Sequence, residues 1–141
     1  MSIRAILLPL LVEVALTFGL LLWLAVLRRR DLVSGAVRPA QIALRERHWT
    51  QTTQQVGNSF SNQFEVPVLF YLLTALAVIT RHADLLFIVL AWIFVLTRLA
   101  HAFVHTTSNR VRQRGAIYGV GAAVLGAMWA IFAVRILLDL P

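Results

Sequence analysis

Asn62-Gln63-Phe64-Glu65-Val66-Pro67-Val68-Leu69-Phe70 sets a carboxylate inside an apolar run that continues to about Thr80. A run of that length and composition belongs in a lipid bilayer. An ionisable side chain there survives by pairing, by facing the interior of a helix bundle or by lining a functional cavity. The matching partners lie further along the chain, at Arg98, His101 and His105, inside another apolar run. What Glu65 meets at that depth therefore bears on both the fold and the function.

Composition places the whole chain in the same setting. Hydrophobic residues make up 60% of the 141 positions and charged residues only 13%, against about 25% charged in an ordinary soluble domain. The apolar residues come in long blocks, and the length suits a single domain over residues 1–141. The formal net charge is +7, and arginine supplies every basic residue. Beside apolar spans, such a charge fits cytoplasmic loops and anionic headgroups; no nucleic-acid partner is expected. There are no cysteines, which excludes disulfides, cysteine nucleophiles and thiolate-bound metals.

Four spans are expected, at about 5–27, 59–80, 85–104 and 116–138, in an all-α integral membrane four-helix bundle. The first covers roughly 33 Å at about 1.5 Å per residue, enough to cross hydrocarbon, and Arg28, Arg29 and Arg30 are expected to stop it. It is too long for a signal-peptide core and reads as a retained span. A polar connection follows, whose stretch from Pro39 to Gln55 is a candidate helix that its threonines weaken. Ser59 or Ser61 is the candidate N-cap of the second span, with Pro67 accommodated inside it by neighbouring helices. The third span is expected to continue as a helix towards Asn109. Gly119, Gly121 and Gly126 in the fourth permit close helix packing.

Orientation follows from the arginines. Arg28, Arg29, Arg30, Arg38, Arg45 and Arg47 fall in the first connection, and Arg110, Arg112 and Arg114 in the third. The positive-inside rule puts both connections in the cytoplasm and both termini on the opposite side.

That topology sets Asn62 and Glu65 roughly 5–10 Å below the cytoplasmic face, with Arg98, His101 and His105 at similar depth on one face of the third span. Two readings stay open. A Glu65–Arg98 ion pair locks spans two and three, since either charge alone would cost several kcal/mol. Alternatively, the pair also frames a ligand site. His101 and His105 have the spacing of metal ligands, but no third ligand stands out, so no metal is expected. Glu13, midway along span one, reads as a bundle-interior hydrogen-bonding group, within the chain or towards another subunit. Trp23, Trp92 and Trp129 read as interfacial or packing residues, and Trp49 as one that dips into the interface.

Asn-x-x-Glu-x-Pro followed by Leu-Phe, then Arg-x-x-His-x-x-x-His before an arginine-rich turn, resembles the MAPEG family. These are membrane-associated proteins of eicosanoid and glutathione metabolism, including microsomal glutathione transferases. The resemblance covers about Val56 to Arg114 in detail and the outer spans by topology. It implies a homotrimer with glutathione bound between subunits near the cytoplasmic face, and a transferase or peroxidase acting on a lipophilic small molecule. Asn62 and Glu65 match the family residues that contact the glutathione peptide, and Arg98 matches the structural arginine. His101 and His105 stand where the eicosanoid branch has tyrosines that hydrogen-bond glutathione. Arg112 falls where that branch has a thiolate-stabilising arginine, and Arg30 among arginines that hold a glutathione carboxylate. The sequence departs at Asn58, where the family's glutathione sites carry arginine, and at both histidines. The alternative is a non-catalytic or differently specific member that binds a lipid or another anion in the same groove.

Overall fold

The computed structural model describes residues 2–43 and 48–139, so Arg45 and Arg47 lie outside the described residues. Five α-helices make up most of it: α1 Ile3–Val33, α2 Gln51–Ser61, α3 Val66–Ile79, α4 Leu85–Thr106 and α5 Val111–Leu137. Short 3₁₀ turns cover Pro39–Ile42 and Asn62–Phe64. With α2 and α3 taken as one interrupted segment, four helical segments are long and apolar enough to cross a membrane.

The helix ends differ from the sequence expectation in instructive ways. The arginines after Leu27 end the apolar stretch but not the helix, which runs on to Val33. Arginine is a good helix former, and a charged last turn is free to stand in water. The stop comes at Ser34 and at Gly35, whose φ of +72° suits glycine. The α2 helix starts at Gln51, well before Ser59, so Ser59 and Ser61 lie within it rather than capping it. Threonines that disfavour a helix interior are placed at its start, where the Asp31 carboxylate collects them. Asp31 accepts from the Thr50 amide at 3.3 Å, the Thr50 hydroxyl at 2.8 Å and the Thr53 hydroxyl at 2.7 Å. This clamp ties the end of α1 to the start of α2.

Pro67 is not absorbed inside a continuous helix. The chain leaves α geometry at Glu65, with φ −99° and ψ −109°, and restarts as α3 with Pro67 in the first turn. A proline there removes no helical hydrogen bond, because first-turn amides have no partner anyway. At the far end of the third span, α4 stops at Thr106 instead of reaching Asn109, which has φ +47°. The α5 helix begins at Val111, so Arg112 and Arg114 stand on its first turn rather than in a loop.

The main core joins Phe70, Leu73 and Ala77 of α3 to Ala91, Phe94 and Val95 of α4, all fully buried. The rings of Phe70 and Phe94 lie 4.8 Å apart. A second cluster, Leu20, Leu24, Val56 and Ala102, joins α1, α2 and α4 nearer the arginine-rich end. Large apolar side chains such as Phe18, Leu22, Leu69, Ile79 and Val120 remain on the outside, as a lipid-facing surface requires.

Of the three glycines expected to permit close packing in α5, Gly121 alone does so within the described chain. A Cβ there would lie 2.6 Å from the Thr97 hydroxyl of α4, whereas Gly119 and Gly126 have nothing within 4 Å. At the end opposite the arginine-rich connections, Asp84 caps α4 by accepting from the Phe87 amide at 2.8 Å. Its other oxygen accepts from Arg135 of α5 at 2.7 Å. Partial burial works to raise the Asp84 pKa, but the Arg135 and Phe87 hydrogen bonds outweigh it and hold the carboxyl below its ordinary range.

Two outcomes follow for thermal unfolding in detergent. Gly121→Val should destabilise by about 1–3 kcal/mol through overpacking against Thr97, while Gly119→Val should change little. Asp84→Ala should cost about 0.5–2 kcal/mol through the lost cap. Because the folded pKa of Asp84 is depressed, its ionic contribution is present at neutral pH and disappears as acid protonates the carboxyl. The gap between wild type and Asp84→Ala should therefore narrow below about pH 3–4.

Candidate functional site

The interrupted segment between α2 and α3 positions the site. Because Pro67 forces a restart, Asn62 and Glu65 sit on an irregular turn, and their side chains leave the helix surface at the same level as the last two turns of α4. From α4 come Arg98, His101 and His105, all nearly inaccessible to solvent. From α5 comes Tyr118.

Contacts knit these residues together. The Tyr118 hydroxyl donates to Glu65 Oε2 at 3.4 Å. The ring of His101 lies 5.5 Å from that of His105 and 5.6 Å from that of Tyr118. One orientation of the Asn62 amide sets Nδ2 3.4 Å from His105 Nδ1. Turned over, the same nitrogen donates to both Glu65 oxygens, at 3.0 and 3.1 Å. The carboxylate decides between them, since an ionised oxygen pair is the stronger acceptor. Among the described residues, no group of three His, Cys, Asp or Glu is arranged to hold a metal ion.

The ion pair expected between Glu65 and Arg98 is replaced by another. Arg98 Nε stands 3.6 Å from Glu13 Oε1, with both side chains almost wholly buried (2% and 0% exposed). Its Nη2 donates to the main-chain carbonyl of Asn62 at 3.2 Å. Glu65 is exposed on the outside of the protomer. The physical reason is helix rotation: Arg98 and Glu13 both face the bundle interior, whereas Glu65, expected at a similar depth, faces outward. Glu13 on α1 supplies the partner carboxylate from within the same chain. At 3.6 Å the pair is electrostatic without being hydrogen-bonded, as neither Glu13 oxygen nor Arg98 Nε has a hydrogen-bond partner.

The candidate residues thus divide. Asn62, Glu65, His101 and His105 come together. Arg30, near the end of α1, and Arg112, on the first turn of α5, are exposed at the same end of the bundle but outside this contact set. Within the arginine-rich turn, Arg114 is half-buried and stands one helical turn before Tyr118. Arg114 Nη1 is held by the Asn109 side chain at 2.6 Å. Arg114 reads as a loop residue when the fourth span starts at Ala116, and Tyr118 reads as one aromatic among the apolar residues of that span. Once α5 begins at Val111, their spacing of one helical turn puts both on one face. Asn58, where the resemblance leads one to look for arginine, is exposed and brings no cation to the site.

The MAPEG family model matches residues 6–134. No curated protein and no solved structure matches the chain.

The new pairing makes a stability contrast. Arg98→Met leaves Glu13 as an unpaired buried carboxylate and should cost about 3–5 kcal/mol. Glu65→Gln, at an exposed position, should leave unfolding nearly unchanged. Equal losses in the two variants would show that Arg98 depends on Glu65 after all.

Proposed function

The chain belongs to the MAPEG family, whose members include glutathione-dependent transferases and peroxidases, and from that membership we propose that it is an integral membrane enzyme of this kind. The observation that carries the reading is Glu65: an accessible carboxylate, anchored by Tyr118 and Asn62, at the level of two buried histidines and the arginine-rich end. Glutathione offers complementary groups, an ammonium, two carboxylates and a thiol. Glu65 would take the ammonium, and Asn62 the peptide. His101 and His105 would hydrogen-bond the tripeptide where they face it, and Arg30 would hold a carboxylate. Bound there, glutathione would supply the sulfur nucleophile for a lipophilic electrophile or hydroperoxide reaching the site from the bilayer.

The chain's own contribution to that chemistry is a cation near the thiol. A neighbouring guanidinium lowers a thiol's pKa and raises the fraction present as thiolate. By resemblance that residue is Arg112. Placement favours Arg114, half-buried one helical turn before Tyr118, over the exposed Arg112. We assign the protein a homotrimeric assembly, with the arginine-rich end in the cytoplasm and both termini opposite. The exposed Phe64 and Glu65 support a site completed by a neighbouring subunit.

A second reading has its own support. Asn58 leaves one carboxylate of the tripeptide without an arginine clamp. A protein that binds an anionic lipid or another anion in the same groove, with no thiol chemistry, fits that substitution.

Calorimetry of the purified protein with glutathione at controlled salt separates the two readings. Binding at or below millimolar concentration, with a glutathione-dependent thiolate absorbance, is expected for the enzyme. Arg114→Ala should abolish that absorbance and Arg112→Ala should retain most of it; the reverse would return the role to Arg112. Absence of both binding and absorbance in the wild type would leave the anion-binding reading.

A further inference from the structure

Arg98 is paired with one carboxylate, Glu13, and shares two neighbours, the Asn62 carbonyl and Tyr118, with a second, Glu65. Its Nε faces Glu13 across 3.6 Å. Its Nη2 holds the Asn62 carbonyl at 3.2 Å, and the same carbonyl accepts from the Glu65 amide at 3.5 Å. The guanidinium carbon also lies 5.9 Å from the centre of the Tyr118 ring, whose hydroxyl touches Glu65. One phenol ring and one shared carbonyl therefore separate the Arg98 cation from the Glu65 carboxylate.

We propose that Glu13 is a positioning residue: by neutralising Arg98 from the opposite side, it keeps that cation off Glu65 and leaves Glu65 open to a cationic group of the ligand. This rests on the functional reading above only for the identity of the ligand. The argument is one of competition. A buried guanidinium without a counter-ion is strongly disfavoured and moves towards the nearest carboxylate. Arginine has a long side chain with several rotatable bonds, and its fork is shaped for bidentate pairing with a carboxylate. With Glu13 charged, α1 satisfies it. Without that charge, the nearest other carboxylate identified around the site is Glu65, and a paired Glu65 has lost the charge that a ligand ammonium needs.

Other charged and titratable groups around the pair do not offer a substitute for Glu13. Tyr71 of α3, packed against the core, carries a phenol, which is neutral at neutral pH and supplies no counter-charge. His101 lies on Arg98's own helix and, like Arg114, would repel the guanidinium if it carried charge. Asn62 offers only its carbonyl, which Arg98 already uses. The packing of α1 against α4 therefore has a consequence at a site that α1 does not itself line with Glu13.

The test uses the full chain in detergent. Water-soluble carbodiimide with glycine ethyl ester labels accessible carboxylates, and mass spectrometry reads the extent at Glu65. Wild type should label readily at Glu65. Glu13→Gln should cut that labelling several-fold, and the double variant Glu13→Gln with Arg98→Met should restore it. If Glu13→Gln does not fold, Glu13→Asp, which keeps the charge one methylene further away, should give a smaller drop in the same direction. Unchanged labelling in the single variant, or labelling that stays low in the double variant, overturns the proposal. Glutathione titration adds a second readout: Glu13→Gln should weaken binding about tenfold to a hundredfold, the size of one lost charge-assisted contact. Failure of the wild type to bind glutathione would sink the functional reading alone, since the labelling result does not involve that ligand.

Discussion

A guanidinium in the interior of an apolar bundle must be neutralised, and the arrangement of this protein around Arg98 follows from that. Arg98 is 2% exposed on α4. Its charge is met by Glu13 from α1, its Nη2 donates to the Asn62 carbonyl from the turn between α2 and α3, and its face meets Tyr118 of α5. One side chain therefore touches every spanning segment. In lipid, helices are not driven together by hydrophobic burial, so packing and polar contacts of this kind set their relative placement.

The same contact positions the candidate site. Pro67 ends regular helix geometry before Val66, and the irregular turn that results would be poorly defined by itself. Arg98 fixes it by holding the Asn62 carbonyl, and Asn62 and Tyr118 then hold the Glu65 carboxylate at the surface of the protomer. The interruption also explains why a polar pair can be displayed at membrane depth. Backbone that leaves the helix is tolerated where protein, rather than lipid, satisfies it. At the water-facing end, Asp31 performs a comparable task with Thr50 and Thr53, so that α1 and α2 share a fixed junction.

Several expectations failed for one common reason: helix ends are set by capping and tertiary contacts more than by where apolar residues stop. The arginines after Leu27 and those before Ala116 looked like loop in the sequence, and the threonines before Val56 weakened a candidate helix there. All belong at least partly to helix, because charged and polar turns can extend beyond hydrocarbon when something anchors them. Starting α5 earlier is what puts Arg114 and Tyr118 on one face, and that face could not be read while its first turn was taken for a loop. Residues 59–70 were legible in kind, since Asn62, Glu65 and Pro67 mark a polar interruption in an apolar span, but not in partner.

By itself the sequence determined the class and the polar inventory. Long apolar blocks bounded by arginines require spanning helices, because the backbone must satisfy itself in lipid. The i, i+3 and i+7 spacing of Arg98, His101 and His105 requires a shared face. The tertiary structure alone decided which carboxylate each cation meets. Both Glu13 and Glu65 are acidic residues inside apolar spans, and depth matching favours Glu65. Only the packing of α1 against α4 shows that Glu13 faces the interior with Arg98 while Glu65 faces outward. Pairing depends on the rotation of each helix about its own axis, and that rotation is set by how all the spans pack together rather than by any one of them.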